Sequence, residues 1–189
     1  MANITTAGFQ RSVPLPTEAS IGSPVIAYEG DPYGVLPWGS TVGAIAQVDL
    51  TIAKGVFWAG TNQENSYVTN VNGGGLAVAG IVLRANATSF GYVANADAQG
   101  YSTTIAAALN ADILISNSVW VKIDVAAEVG TNTLYGSAIW VRDSDGALIS
   151  QVQGTAVAGA TLSQFRAGNL TAAAAGTLIV ITTNSNVSQ

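Results

Sequence analysis

Six cations and eleven carboxylates are all the charged side chains available for chemistry in this chain, which contains neither histidine nor cysteine. Residue type alone therefore excludes Ser-His-Asp and Cys-His nucleophiles, imidazole or thiolate metal sites, and disulfides. A serine–lysine pair remains conceivable, but Lys54 and Lys122 are the only lysines. Lys122 lies on an alternating segment opposite its apolar residues, the setting of a solvated or interfacial ammonium and not of a buried base. Glu29 and Asp31 could be imagined as a glycosidase pair, but they sit in a Gly/Pro turn with no apolar pocket to keep one of them protonated. Asp143-Ser-Asp-Gly146 opens like a calcium loop, yet Gly154 stands where the closing bidentate acid is needed, so it reads as a turn. Gly73-Gly-Gly75 lacks the Lys-Ser/Thr of a phosphate-cradling loop. The Asn-x-Ser/Thr matches at Asn3, Asn86, Asn169 and Asn186 are what an Asn- and Thr-rich chain gives by chance. No catalytic residue, cofactor or metal site is expected, and the chain does not read as an enzyme.

The aromatic residues are the more informative set. Trp38, Trp58, Trp120 and Trp140 with Tyr28, Tyr33, Tyr67, Tyr92, Tyr101 and Tyr135 could pack the core, form a protein contact surface or line a sugar groove. Period-two counting puts Trp120 with Lys122 and Trp140 with Arg142, on a partly polar face and not in the core.

The elements that would position these side chains are short strands. Ala44–Ile52 alternates, with Ile45, Val48, Leu50 and Ile52 as core candidates. Gly55–Ala59 and Gly75–Arg84 read as apolar strands. In Val119–Val125 the residues Val119, Val121, Ile123 and Val125 point one way, with Trp120, Lys122 and Asp124 opposite. Ser137–Arg142 and Ala147–Gln153 flank the Asp143 turn as a hairpin, and Gly176–Thr182 is a last strand. Thr103–Leu109 is the best helix candidate, two turns at most. The expected fold is mainly β, a β-sandwich or open β-barrel of short antiparallel strands in a single domain over 24–189. Residues 1–23, with Pro14 and Pro16, read as an extended N-terminal arm. Phe9, Val13, Leu15 and Ile21 suit that arm to lying across a partner, and 29–39 reads as a shaped loop carrying Tyr33 and Trp38.

Composition narrows the partners. Charged residues are 9% of 189, against about 25% in ordinary soluble domains. Arg11, Lys54, Arg84, Lys122, Arg142 and Arg166 are scattered and the net charge is −5, so no nucleic-acid surface is expected. The most apolar stretch, Leu76–Leu83, is far short of the about 20 residues of a spanning helix, and Met1–Thr6 lacks a basic region and an apolar block. Synthesis in a cytoplasm and no membrane partner are expected. A mean hydropathy of +0.38 with so little charge favours a surface partly covered in the working state, because interface cores are depleted of charge.

The residues from Ala79 onward resemble the structural cement, or capsid decoration, proteins of tailed bacteriophages. The resemblance lies in Ala79-Gly-Ile-Val-Leu-Arg84, Asn117-Ser-Val-Trp-Val-Lys-Ile123, Gly136-Ser-Ala-Ile-Trp-Val-Arg142 and Asp145-Gly-Ala-Leu148. It continues through Gly159-Ala-Thr-Leu-Ser-Gln-Phe-Arg-Ala-Gly168 and Ala175-Gly-Thr-Leu-Ile-Val-Ile181, in order over a little more than half the chain. It departs at Ser118, near where a glycine often precedes the Trp strand, and in the long 85–116 insertion. What the resemblance implies is a β-rich virion protein on the outer capsid surface that clamps neighbouring major capsid protein subunits. Self-association is implied too, a homotrimer ahead of a homodimer. Phe9, Arg11, Val13, Leu15, Tyr33, Trp38, Trp120 and Trp140 are the candidate contacts. The rival expectation is a carbohydrate- or receptor-binding module of a phage fibre or bacterial appendage.

Overall fold

A computed structural model describes residues 21–22, 41–62, 65–83, 103–127, 129–169 and 171–183. Among these there are fifteen strands and no α-helix, so the mainly-β expectation is borne out. Apart from residues 21–22, the first 120 or so residues supply β1 (Thr41–Ala46), β2 (Leu50–Thr51), β3 (Gly55–Thr61), β4 (Ser66–Thr69), β5 (Val78–Val82), β6 (Thr104–Ile105) and β7 (Asn110–Leu114). Five of them close a barrel in the order β1-β4-β3-β5-β7. Closure is made by β1 lying parallel to β4 on one side and antiparallel to β7 on the other. The barrel is therefore closed, not open, and its joint is parallel, not antiparallel. Closing the sheet on itself leaves these five strands without an exposed ladder edge.

The second half supplies β8 (Ser118–Lys122), β9 (Val125–Ala126), β10 (Asn132–Thr133), β11 (Ala138–Arg142), β12 (Leu148–Gln151), β13 (Ala160–Ala167), β14 (Ala173–Ala174) and β15 (Leu178–Thr182). Six of these form one sheet in the order β8-β15-β13-β11-β12-β9, and β2-β6 and β10-β14 are two-stranded ladders. The Asp143 turn joins β11 and β12 as an antiparallel hairpin, Val141 opposite Leu148, as its turn residues require.

The inner face of the sheet packs on the barrel. Val119, Val121, Ile139, Val141, Leu148, Phe165, Ile179 and Ile181 share one buried cluster with Val56, Phe57, Val68, Ile81, Ile113 and Leu114 of the barrel. Asn72 stitches the same junction. Its Nδ2 donates to the Leu76 carbonyl, Asp143 Oδ1 and Thr161 Oγ1 at 3.0–3.2 Å, and its backbone N–H donates to the Asp143 carbonyl at 2.7 Å.

Three local expectations are corrected. Thr103–Leu109 is not helical: Thr104–Ile105 pairs with Leu50–Thr51, Ala108 has a φ of +67°, and Asp49 Oδ1 accepts the Ala107 N–H. Ala44–Ile52 is not one strand. A break at 47–49 leaves Val48 exposed and Ile45 only half-buried, while Ala44 and Ala46 turn inward with Leu50 and Ile52. Val125 is 40% exposed and off the core face, because the backbone turns at Asp124 and Val125–Ala126 pairs parallel to β12 instead.

Candidate functional site

The other face of the six-stranded sheet follows from strand register. Successive side chains alternate between faces, and Val119, Val121, Ile179 and Ile181 are inward. Trp120 and Lys122 on β8, with Leu178 and Val180 opposite them on β15, are therefore outward. On the far side of the sheet, cross-strand pairing aligns Leu162 with Trp140, Trp140 with Ile149 and Ile149 with Val125. This row crosses four strands. Its ends are open, with Leu162 47% and Val125 40% exposed, while Ile149 within it is buried. Trp120 and Trp140 thus share one face of one sheet, three strand spacings or about 14 Å apart across it. Both are half-buried, in company with Lys122 and Arg142, as the period-two reading expected.

The charge on this face is one-sided. No Asp or Glu occurs in any of its six strands, although the chain carries a net charge of −5. Arg142, at the end of β11, is neutralised by the turn that follows: Nε donates to Asp145 Oδ1 at 2.8 Å and Nη2 to Oδ2 at 2.6 Å. That bidentate bond, aided by the Ala147 N–H, holds the Asp145 carboxyl below the ordinary aspartate range against the opposing effect of burial. Arg166 differs. It sits on β13, opposite Ala138 on one neighbour and Thr182 on the other. The residue is half-buried and Nη1 donates only to the adjacent Phe165 carbonyl at 3.3 Å. Among the described residues no carboxylate pairs with it. Trp140 Nε1 is also without a hydrogen-bond partner although it is buried.

A cleft of about 500 Å³ opens where barrel and sheet meet, and both lysines, Asp124, Ile52, Ile123 and Ile21 line it. Lys54 Nζ forms an ion pair with Asp124 Oδ1, while Asp124 Oδ2 accepts the Leu148 N–H at 2.8 Å. The Lys54 ammonium is thereby committed to tying the β2–β3 turn to the sheet. The hydroxyl-bearing residues of the lining are Thr51 and Thr103, with no serine among them. At the opposite end of the sheet, Leu134, Tyr135 and Val152 are each 40–45% exposed. The pairing of Ala138 with Gln151 brings Val152 level with the residues that follow Tyr135.

Phe9, Arg11, Val13, Leu15, Tyr33 and Trp38 lie outside the described residues, as do Glu29 and Asp31. Of the expected arm, residues 21–22 are described: Ile21 packs on the core and the Gly22 N–H donates to the Trp120 carbonyl at 2.8 Å. Of the tryptophans, Trp58 packs against the core while Trp120 and Trp140 do not. Arg166 was not among the sequence candidates, because Ala160–Ala167 was not recognised as a strand and its face was unassigned. The signal was present in the buried alternation Ser163, Phe165, Ala167.

No family model matches this chain and no curated protein matches it. Among solved structures it is similar to the N base of the head fiber gp8.5 of bacteriophage phi29, with a TM-score of 0.39 and 9% identity over 75% of this chain and 91% of that one.

Proposed function

We propose that this chain is a bacteriophage virion structural protein that binds the outer surface of the assembled capsid and clamps adjacent major capsid protein subunits. It works without catalysis and as a homotrimer. The observation that carries this reading is the outer face of the six-stranded sheet, where two half-buried tryptophans and an apolar row with exposed ends lie on strands free of carboxylates. Tryptophan and arginine dominate the energetics of protein interfaces, and charge is depleted at their cores. The sequence resemblance to capsid decoration proteins gives such a face its partner. Stabilisation then follows from mass action: a protein that binds only the assembled shell shifts the equilibrium toward it, and many copies add.

The test is co-sedimentation of the chain with assembled shells of a major capsid protein from the same phage, with bound copies counted. Saturation at a ratio compatible with the shell's symmetry supports the proposal. Absence of binding overturns it. The alternative, a carbohydrate- or receptor-binding module, draws on the same pair of indoles. It would show itself as glycan binding abolished by Trp120→Ala and Trp140→Ala.

A further inference from the structure

Arg166 and the charge asymmetry around it point to the chemistry of the partner. We infer that the outer face of the six-stranded sheet docks on a protein surface that presents a carboxylate, and that Arg166 is the residue that receives it. This deepens the capsid-binding reading and rests on it. Arg166 pairs with Ala138, the first residue of β11, and with Thr182, the last of β15, on an inner strand of a sheet with no Asp or Glu in its strands. The residue is half-buried, and its one hydrogen bond, to the Phe165 carbonyl, brings no opposite charge. An incoming carboxylate restores a charge-assisted, bidentate bond. Trp140 lies two residues along β11 from Ala138 on the same face, and an apolar surround that excludes water is the setting in which such a pair counts most.

Other occupants fit less well. Two copies meeting through this face would offer Arg166 no carboxylate from either set of strands, and bringing the two Arg166 side chains together would cost affinity. A nucleic acid needs several clustered cations to release counterions. Here Arg142 is already neutralised by Asp145 and the whole chain is acidic.

The test uses the full chain and assembled shells of the same major capsid protein. Arg166→Glu and Leu162→Glu are compared with wild type and with Val71→Glu, a control at a 45% exposed position outside the sheet. Binding is expected to weaken on the order of tenfold or more in both face variants and to stay unchanged in the control. Raising the salt concentration should weaken wild-type binding more than that of Arg166→Gln. Leu162 is 47% exposed, so its variant keeps the experiment informative if Arg166→Glu misfolds, and thermal midpoints identify that case. If wild type binds and the face variants bind equally well, the docking face is wrong while the capsid reading stands. If the variants instead break an oligomer seen in sedimentation, the occupant is a second copy and the inference is overturned. If wild type binds no shell, the capsid reading fails and the inference goes with it.

Discussion

Gly55 and Gly146 meet backbone to backbone: the Gly55 N–H donates to the Gly146 carbonyl at 2.9 Å, joining the barrel to the sheet hairpin. Neither position has room for a side chain. A Cβ on Gly55 would lie 2.5 Å from the Val141 methyls, and one on Gly146 would land on the Gly55 carbonyl oxygen. Gly146 also has a φ of +73°, which disfavours any other residue. Gly146→Ala is expected to cost about 2–4 kcal/mol, a left-handed backbone penalty plus overpacking. Gly136→Ala, at a φ of +77° but in open space, should cost only the backbone part, about 1–2 kcal/mol. Equal losses in denaturant titrations of the two variants would show that the junction is not tight.

Asn72 is expected to be the most sensitive polar residue of that junction. Besides its three side-chain acceptors, its Oδ1 receives the Gly74 and Leu76 N–H groups at 3.2 and 2.9 Å. Asn72→Ala leaves these partners unsatisfied in a part-buried site, and a loss of about 2–3 kcal/mol in unfolding free energy should follow. A loss below about 0.5 kcal/mol would mean that water replaces the network at no cost.

The Arg142–Asp145 pair gives a pH dependence of known sign. The native Asp145 carboxyl titrates below its ordinary value, chiefly through the Arg142 hydrogen bonds. The pair's contribution is present above the unfolded aspartate value of about 4 and is lost as pH falls through the depressed native value. Asp145 is 48% exposed, so solvent screening holds the gain to under about 1 kcal/mol. Carboxyl NMR should place the Asp145 midpoint below the ordinary value in wild type and return it there in Arg142→Gln. An unmoved midpoint would contradict the ion pair.

Trp140→Phe removes a buried indole N–H that bonds to nothing. The contact area lost with the larger ring is offset by relief of an unsatisfied donor, itself worth about 1–3 kcal/mol. Stability within about 1 kcal/mol of wild type is therefore expected. A loss of several kcal/mol would mean that the indole nitrogen has a partner in solution.

The sequence made the hairpin and the Trp faces legible for different reasons. Asp143-Ser-Asp-Gly146 announces its turn by residue type. Val119–Ile123 alternates cleanly because one side is wholly core and the other is not. The barrel was hidden because its closing contact, parallel β1 on β4, joins residues with no local signal. Strand β13 was hidden because its buried positions include Ser163, whose Oγ donates to the Ile139 carbonyl at 2.6 Å, and because a bulge separates Leu162 from Arg166 in the pairing with β11. With β13 unread, Arg166 could not be placed on the sheet that carries Trp120 and Trp140. The helix expected at Thr103–Leu109 failed because helix propensity there yields to pairing with β2 and to the turn at Ala108.

The most direct test of the central claim is the disruption temperature of assembled shells, measured by calorimetry while the chain is titrated in. A clamp should raise that temperature progressively and saturate at the copy number found by co-sedimentation, with a smaller rise for Arg166→Glu. Shells that break at the same temperature with and without saturating chain would contradict the claim, even if the chain is bound.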